Sequence, residues 1–391
     1  MDRDPRILRQ IQILSETFDV TTAGLSSSQH ANEMDFIQIK HEYILDFHLH
    51  YPALLRKIIT LFVVYPSNIF RKFFQSYWTE KMGDFEKIYW TPSRRITLNK
   101  LIKNRFHLVI ANDLETLPLA IKIKEINGSY VYFDAHEYSP LEYENNEEWL
   151  KNTAPYCTYL CKKYIPMADY NTTVSHGLAV EYKRLTNKEF DVVLNAPSFE
   201  NIIPSENSLN KIRFIHHGGI SPDRNTDKLI QAFIDSKRGD IELNLMLVGL
   251  DSPYGEKLKE LAAGQTKIIF HQPVPTKEIA KYINQFDVGI YFLPPLNFNQ
   301  VHALPNKFFE FIQGRLMLAM GPSIEMVKYI EEYNLGLVGK GFETKDILDC
   351  INSIKKEDIE FYKSNVHKSA RILSSEDSME QLKKKLISLF V

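Results

Sequence analysis

The chain has 391 residues, of which 44% are hydrophobic and 25% charged, a mixture typical of a soluble globular protein of two domains. A formal net charge of -2 excludes the strongly basic field of a nucleic-acid-binding protein. Three cysteines are too few for a disulfide framework and favour reduced thiols in a cytoplasmic protein. No apolar run approaches the ~18–20 residues of a spanning helix, and no signal peptide is visible.

The first half of the chain alternates short apolar strands with amphipathic helices. The pattern predicts a helix that begins at Pro5, a second helix at 114–125, and strands at 107–111, 130–134, 170–174 and 192–195. Asp2-Arg3-Asp4 spells a D-x-D metal signature, but it follows no strand. Because Asp is a common residue just before a helix, we interpret these acids as caps of the first helix.

Residues 46–104 depart from this alternation. Between positions 51 and 107 there are eleven Lys and Arg against three acids, and FRKFFQSYW at Phe70–Trp78 mixes aromatic with basic residues. One interpretation is a helical insertion whose aromatic side chains pack on the first sheet. The other is shallow docking on an anionic membrane surface, because such helices place their aromatic rings in the headgroup layer.

The second half repeats the same order of elements. We predict strands at 212–216, 244–248, 268–271, 288–292, 316–319 and 336–338, with helices at 226–236, 254–263 and 277–285. Continuous apolar strands separated by helices imply parallel sheets covered on both sides. The sequence therefore predicts an α/β protein of two Rossmann-like, doubly wound domains that face a cleft, at 1–197 and 198–375, followed by a C-terminal helix at 376–391.

The turn before position 310 carries the first candidate site. Pro305 fixes the backbone ahead of a helix, Asn306 is a strong N-cap type, and Lys307 adds a cation beside the free N–H groups. This combination suits a phosphate. Glu310, one turn further along, could accept hydrogen bonds from two ribose hydroxyls. The competing interpretation is a capped amphipathic helix with a surface acid.

A second candidate site follows the predicted strand that ends at His216. Gly218 and Gly219 allow the backbone to approach a ligand, Asp223 or Asn225 caps the next helix, and Arg224 could neutralise a phosphate. The spacing lacks G-x-G-x-x-G, which disfavours a nicotinamide site. A plain strand-to-helix turn is the alternative.

A third candidate site lies at the end of the predicted strand 130–134. Asp134, His136 and Glu137 reach its carboxyl end, where the imidazole could hydrogen-bond a sugar hydroxyl or a departing oxygen. A metal site is disfavoured, because near-consecutive loop residues point in different directions. A histidine that merely caps the loop is the alternative.

Together these motifs resemble the retaining family four of GT-B-fold glycosyltransferases, in the branch that assembles bacterial surface polysaccharides. The resemblance covers most of the chain, although the strand that normally precedes Asp4 in this family is not seen. The stretches that carry it are, in order, DPRILRQIQIL (Asp4–Leu14), ANDLETLPLA (Ala111–Ala120), YFDAHE (Tyr132–Glu137), TVSHG (Thr173–Gly177), LNAP (Leu194–Pro197), HHGGISPDRN (His216–Asn225), FHQPVP (Phe270–Pro275), FDVGIYFLPP (Phe286–Pro295) and ALPNKFFEFIQG (Ala303–Gly314).

The resemblance implies a donor site in the second domain. Glu310 matches the second acid of the family's Glu-x7-Glu motif, whereas His302 stands where the first acid, which contacts the donor sugar, is expected. Arg224 matches a basic residue at the diphosphate. A companion arginine of the family is replaced by Gly219, and the resemblance implies that Lys307 compensates for its loss. Backbone contacts to the base are implied around His271 and Val274, and Gly218, Pro305 and Asn306 complete the implied donor set.

By the same resemblance, His136 lies near the sugar and acceptor, with Asp134 and Glu137 on the acceptor side. The implied activity is metal-independent, cofactor-free, retaining transfer from a nucleotide diphosphate sugar to a saccharide or lipid-linked acceptor. It would take place in the cytoplasm, with the protein peripheral at the inner face of the membrane and without nucleic acid. The alternatives are a sugar-nucleotide epimerase, an inverting transferase of this fold, and a non-catalytic transferase-like binding subunit.

Overall fold

The computed structural model describes residues 5–24, 35–38, 85–206 and 210–391. The chain divides into two compact units. The first comprises Met1–Thr173, Ala179–Asp191 and Lys383–Val391, and the second comprises Val174–Leu178 and Val192–Leu382. The longer segment of the second unit begins at Val192, and the domain boundary at 197/198 stays a prediction from sequence.

The first unit contains two parallel sheets. The smaller one pairs β1 (Thr21–Gly24) with β2 (Asp35–Gln38). The larger one has the order β3-β4-β5-β6, and its strands are Leu108–Asn112, Tyr130–Ala135, Tyr170–Thr173 and Asp191–Val192. Asn112, Asp134 and Thr172 are aligned across β3, β4 and β5, so their side chains lie side by side at the carboxyl end of this sheet.

Helices flank the strands of the first unit, as the predicted alternation requires. The first starts at Pro5 as expected and ends at Leu14. Gly128, in the left-handed region at φ 74°, ends the helix between β3 and β4. The described helices of this half are Pro5–Leu14, Phe85–Tyr89, Pro92–Leu101, Leu117–Asn127, Glu147–Asn152, Ala154–Tyr164 and His176–Thr186.

The second unit is built on one parallel sheet of six strands in the order β12-β11-β10-β7-β8-β9. In chain order from β7 to β12 the strands are Ile212–Gly219, Ile241–Val248, Ile268–His271, Val288–Tyr291, Met317–Met320 and Gly336–Val338. The helices are Thr226–Asp235, Pro253–Ala262, Ile279–Ile283, Phe298–Val301, Asn306–Gln313, Ile324–Tyr333, Thr344–Ser353, Lys356–Ser369 and Ser375–Ile387. The last of these ends earlier than the predicted 376–391, and a 3-10 turn, Ser388–Phe390, follows it.

Alternating side chains of this sheet enter two separate cores. On β7, Phe214 joins one buried cluster and its neighbour Ile215 joins the other. On β11, Met317 packs in the first cluster and Leu318 in the second. Both sides of the sheet are therefore covered by helices, which explains why its strands are continuous apolar runs without polar alternation.

The segment 196–205, which spans the domain boundary that we expected from sequence, is held by the second unit. The carbonyl of Pro197 accepts a hydrogen bond from the Ser375 N–H at 2.9 Å. The Arg315 guanidinium donates to the Glu200 carbonyl at 2.5 Å, and the buried Lys363 ammonium donates to the Ser205 carbonyl at 2.8 Å. This segment is therefore an edge of the second unit.

The basic aromatic segment at 46–104 lies mostly outside the described residues, and only 85–104 can be compared with the prediction. There the chain forms the short helices Phe85–Tyr89 and Pro92–Leu101. The Glu86 carboxylate anchors the first of them, because it accepts hydrogen bonds from Tyr164 at 2.7 Å and from Tyr159 at 3.1 Å. Among the residues that the structure describes, no helix is long and apolar enough to cross a membrane.

Candidate functional site

The turn after β7 brings two predicted site residues together. Gly218 has a φ of 110°, a conformation that favours glycine. A Cβ atom on Gly218 would lie 3.3 Å from Cε and 3.5 Å from Nζ of Lys307, so the lysine side chain covers this stretch of backbone. The first turn of the helix Asn306–Gln313 and the glycine turn therefore converge on one place.

Lys307 is a buried basic side chain. Among the described residues, no acidic side chain lies within hydrogen-bond distance of its ammonium. It is 7% exposed, and its ammonium has no hydrogen-bond partner among the described residues. The ammonium lies 4.0 Å from the centre of the Tyr291 ring, a cation–π contact. Burial and then the charge of Arg224 lower the pKa of Lys307 to about 7. A bound anion would relieve both effects, which makes this ammonium the strongest anion-binding candidate of the unit.

Arg224 lies on a 3-10 turn, Pro222–Arg224, that leads into the next helix. Its guanidinium donates to the Gly219 carbonyl at 3.3 Å, which keeps it beside the glycine turn. The predicted cap of this helix was only partly right. Asn225 occupies the N-cap position at φ 55°, but its side chain makes no capping bond and donates to the Phe342 carbonyl at 3.0 Å instead.

The expected N-cap role of Asn306 is wrong. Pro305 occupies the N-cap position with extended backbone, and Asn306 is the first residue inside the helix. The Asn306 side-chain oxygen is buried without a hydrogen-bond partner in the part of the chain that the structure describes. Proline preceding the first turn still leaves the first N–H groups of the helix without a side-chain cap. Asn306 therefore does not cap the helix, but the helix terminus still presents its first N–H groups.

Glu310 lies one turn into this helix, next to a histidine that sequence reasoning did not select. Its Oε2 atom is 3.6 Å from Nε2 of His217, whose ring stacks edge-on against Phe311 at 5.1 Å. Burial and then the charge of Lys307 lower the pKa of His217 to about 3, so this imidazole is neutral at pH 7. The site consequently combines one carboxylate, one uncharged imidazole, the Arg224 guanidinium and a lysine whose pKa lies near 7.

His302 lies near a buried acid, Glu325. Nδ1 of His302 is 3.3 Å from Glu325 Oε1, which also accepts the Gly177 N–H at 2.8 Å. Gly177 must be glycine here, because a Cβ atom at this position would overlap the His302 ring. A carboxylate therefore does lie close to the position where the family pattern has its first acid, but it comes from the later helix Ile324–Tyr333.

The side chain of His271 has a structural role, because both of its ring nitrogens bond to other side chains. Its Nε2 lies 2.7 Å from the Asn244 side-chain oxygen, and the Tyr282 hydroxyl lies 2.9 Å from Nδ1. Since the oxygen of Asn244 can only accept, Nε2 carries the hydrogen and Nδ1 accepts from Tyr282. Both ring nitrogens of His271 are therefore used within the unit, and the backbone contacts to the base expected at His271 and Val274 stay a prediction.

In the first unit, Asp134 is the centre of a buried charged network. Arg6 donates to both of its carboxylate oxygens, at 2.7 and 2.6 Å, and Thr172 donates at 2.7 Å. Gln10, one helical turn after Arg6, donates to the same carboxylate. Despite burial, the charge and hydrogen bonds of Arg6 hold the pKa of Asp134 far below its usual range. Asp134 is thus a permanent anion and unsuitable as a proton donor.

His136 lies between two carboxylates. Its Nε2 is 3.3 Å from Asp134 and its Nδ1 is 3.6 Å from Asp113, which also accepts the His136 backbone N–H at 3.3 Å. Burial opposes protonation, but the Asp134 carboxylate 3.3 Å away, together with the charge of Asp113, raises the pKa of His136 above its ordinary value. Glu137 is exposed, and its carbonyl accepts the Tyr182 hydroxyl at 2.6 Å.

Sequence reasoning missed several residues of both sites. Two weak signals existed: Asp113 follows an apolar strand directly, and Arg6 and Gln10 are spaced by one helical turn. Asp113 also adopts φ 65°, which is uncommon for a residue other than glycine. The missed residues are Arg6, Gln10, Asp113, His217, Tyr291 and Glu325. Within 5–24, 85–206 and 210–391, no group of three His, Cys, Asp or Glu side chains could hold a metal ion.

Comparison with known proteins defines the class of fold. No family model matches the chain, and no curated protein matches it in sequence. Solved structures do match over nearly the full length. Anabaena Alr3699/HepE in complex with UDP is 12% identical with a TM-score of 0.68, and the match covers 98% of this chain and 96% of that chain. The same protein has also been solved with UDP-glucose.

Two further structures have the same architecture. The lipopolysaccharide outer core galactosyltransferase WaaB in its apo form is 11% identical with a TM-score of 0.59, over 93% of this chain and 86% of that chain. The sucrose-phosphate synthase tll1590 from Thermosynechococcus elongatus is 11% identical with a TM-score of 0.67, over 98% and 92%. These neighbours are GT-B glycosyltransferases. The chain has the α/β GT-B fold with two Rossmann-like units, as the sequence predicted.

Proposed function

We propose that this protein is a retaining glycosyltransferase that uses a nucleotide diphosphate sugar and needs no metal ion. The observation that carries the proposal is the Lys307 ammonium, buried without a hydrogen-bond partner in the described chain and packed over the glycine turn. A pyrophosphate placed there would gain Lys307, Arg224 and the first N–H groups of the helix Asn306–Gln313. The fold supports this proposal, because neighbours of the same fold bind UDP or UDP-glucose.

The proposed mechanism follows from where charge develops as the donor sugar is transferred. Breaking the anomeric C–O bond creates an oxocarbenium-like centre and adds negative charge to the departing diphosphate. The buried Lys307 and the exposed Arg224 would stabilise that charge from two sides of the chain's fold at β7. Glu310 would accept hydrogen bonds from the ribose hydroxyls, one turn further along the helix. In retention the acceptor hydroxyl attacks from the side of the leaving group, whose own oxygen can take the proton, so a second catalytic carboxylate is not required.

We assign the acceptor side to the edge of the first unit that carries His136. The Asp134 network holds the imidazole in place, and the raised pKa of His136 favours a cation that can donate a hydrogen bond to an oxygen. The acceptor in this proposal is a saccharide or lipid-linked saccharide, and the biological setting is surface polysaccharide synthesis in the cytoplasm. Peripheral attachment to anionic lipid through the basic aromatic segment belongs to the same proposal, and sedimentation with anionic liposomes at low salt tests it.

The first test is binding of the nucleotide. Thermal-shift measurements with UDP, GDP, dTDP and ADP should identify one diphosphate, since a ligand at 100 times its Kd adds about 2.7 kcal/mol of stability. Arg224→Ala and Glu310→Ala should each weaken its binding by about 1.5–3 kcal/mol, as expected for charge-assisted contacts. Lys228→Ala, which removes an exposed ion pair with Glu343, serves as a matched control without effect.

Product analysis then separates the alternatives. NMR of the transferred sugar should show the anomeric configuration of the donor, with activity unchanged by a metal chelator. An inverted product would favour an inverting transferase, and a changed sugar without transfer would favour an epimerase. Diphosphate binding without any turnover would favour a non-catalytic subunit. Unchanged diphosphate affinity in both site variants would reject the site itself.

A further inference from the structure

His217 is a buried histidine to which the proposed mechanism assigns no role. It lies on β7 directly before the Gly218 turn, and it is 2% exposed. Its Nε2 atom is buried and has no hydrogen-bond partner among the residues that the structure describes. A buried polar nitrogen without a partner is destabilising, so its presence beside a candidate site requires a physical explanation.

The Glu310 carboxylate lies close to this nitrogen. Oε2 of Glu310 is 3.6 Å from Nε2 of His217, slightly beyond hydrogen-bond distance. The Glu310 side chain is 12% exposed, so part of the acid can be reached from solvent, whereas the imidazole is enclosed. Hydrogen bonds of active sites are often long in ligand-free enzymes and shorten when the ligand binds. The distance therefore suits a contact that closes when a ligand occupies the site.

The chemistry of the pair determines which ring nitrogen carries the hydrogen. The imidazole is neutral at pH 7, because burial and the charge of Lys307 lower the pKa of His217 to about 3. A neutral imidazole has one N–H group, and a carboxylate can only accept. A lone pair on Nε2 would repel the Glu310 oxygen, whereas an N–H group there attracts it. Nε2 therefore carries the hydrogen, and His217 is the donor of the pair.

Packing ties the imidazole to the helix that carries the acid. The His217 ring lies edge-on to the Phe311 ring, with the centres 5.1 Å apart and the planes at 82°. Phe311 is 0% exposed and directly follows Glu310 on the helix Asn306–Gln313. The phenyl ring lies on Gly289 of β10, where any Cβ atom would overlap it. The imidazole therefore cannot turn away from Glu310 without disturbing this packing.

We propose that His217 is a positioning residue for Glu310: its Nε2–H group holds one carboxylate oxygen, so that the acid is oriented to accept hydrogen bonds from ribose hydroxyls. This role rests on the proposed function, because it needs a nucleotide in the site. The ligand class is a ribonucleoside diphosphate, and the pair gives the site its preference for ribose over 2′-deoxyribose. The imidazole acts through the carboxylate, and it does not touch the ligand.

The decisive measurement is the ribose preference, which is the ratio of the affinities for a diphosphate and for its 2′-deoxy form. Calorimetry on the full chain gives this ratio for UDP, GDP and ADP. His217→Phe keeps a ring against Phe311 but removes the N–H group. It should lower the ribose preference about fivefold or more, the effect of one hydrogen bond to a charged group. The affinity for inorganic pyrophosphate, which has no ribose, should stay within about twofold.

Conservative variants and a double-mutant cycle separate positioning from packing. His217→Gln should retain most of the ribose preference, because its amide N–H can take the place of Nε2, whereas the shorter His217→Asn should not. In Glu310→Gln the preference should already be low, and adding His217→Phe should lower it no further. A further fivefold loss in the double variant would show that the imidazole acts independently of the acid, which overturns the positioning role.

The remaining outcomes are equally distinct. An unchanged ribose preference in His217→Phe overturns the role, and so does a parallel loss of pyrophosphate affinity, which would make the imidazole merely structural. His107→Phe changes an exposed histidine of the first unit and should leave both quantities unchanged. A wild type that binds diphosphates without preferring ribose overturns the role of His217 alone. A wild type that binds no diphosphate overturns the proposed function as well.

The donor nitrogen can be observed directly. Nitrogen-15 shifts of the His217 ring in the ligand-free protein at pH 7 should show a hydrogen on Nε2 and an unprotonated Nδ1. A hydrogen on Nδ1 with an unprotonated Nε2 would refute the positioning role without any nucleotide being needed.

Discussion

Lys307 lies against Gly218 so closely that a Cβ atom on the glycine would meet Cε of the lysine at 3.3 Å. Two parts of the chain that are far apart in sequence therefore share one small volume at the carboxyl end of β7. This volume is the place where the sequence analysis expected a pyrophosphate. The contact between Gly218 and Lys307 can be tested by adding a single methyl group to the glycine.

Gly218→Ala should weaken diphosphate binding about tenfold or more, because the new methyl group displaces the Lys307 side chain. It should also lower the free energy of unfolding by about 1–2 kcal/mol, since φ at this position is 110°. Gly128→Ala is the matched control: φ is 74° there, and a Cβ atom meets nothing within 4 Å. Calorimetry and denaturant unfolding should show a similar loss of stability in both variants, with loss of binding only in the first.

Gly219→Arg should strengthen diphosphate binding severalfold and make it more sensitive to salt. A Cβ atom at Gly219 meets nothing within 4 Å, so a side chain can be added without a clash. A second arginine beside the turn would add an attraction to phosphate, and salt weakens this attraction as the ionic strength rises. Gly219→Ala is the neutral control. Calorimetry at two salt concentrations checks the prediction, and weaker binding of the arginine variant would contradict it.

Lys307 should take up a proton when the diphosphate binds. Its pKa is lowered from 10.5 to about 7 in the folded protein, so between those values the unfolded chain binds more protons. The contribution of Lys307 to the free energy of unfolding therefore rises with pH across this window in the ligand-free protein. A bound diphosphate favours the ammonium form and should remove this dependence within the window. Diphosphate affinity should consequently fall as pH rises above 7.

Calorimetry at pH 8 in buffers of different ionisation enthalpy measures that proton uptake. Lys307→Met should abolish the uptake and weaken binding by about 1.5–3 kcal/mol, the size of a charge-assisted contact. Lys281→Met, where the side chain is 64% exposed, should change neither quantity. Equal proton uptake by the wild type and Lys307→Met would show that another group titrates.

Asp134→Asn should destabilise the first unit strongly, by about 3–5 kcal/mol, because it leaves the buried Arg6 guanidinium without its counter-charge. The control is Glu125→Gln, which breaks a half-exposed ion pair with Lys122 and should cost about 0–1 kcal/mol. Urea unfolding monitored by circular dichroism gives both values. If Asp134→Asn cost no more than the control, the network around Asp134 would not be a determinant of stability.

Local pattern predicted the strands well. The strands at 268–271 and 336–338 have the predicted bounds, because a buried parallel strand is a short apolar run between turn residues. Capping was predicted less well. Asn306 and Asn225 have the right residue type for a cap, but Asn306 lies inside its helix and the Asn225 amide bonds elsewhere. The residue type indicates a preference for the capping position, and the surrounding backbone determines whether the capping hydrogen bond forms.

The sequence alone could not predict which charged side chains pair when they are far apart in the chain. Arg6 and Asp134 each had a local interpretation, as part of a first helix and as an acid at a strand end, and nothing local links them. The same holds for His302 and Glu325, which lie 3.3 Å apart although nothing in the local sequence of either residue indicates the other. Periodicity reports which side of an element is buried, whereas the partner of a buried charge depends on how the elements pack.

The hydrogen bonds of segment 196–205 limit where a fragment of the second unit can begin. A fragment that begins at Ile212, the first residue of β7, would remove the Glu200 carbonyl from Arg315 and the Ser205 carbonyl from Lys363. Both cations would then lose a main-chain acceptor in a buried setting. A fragment that keeps these two bonds therefore has to start upstream of Ala196, and a protease should find no early cleavage site between Pro197 and Ser205 in the full chain.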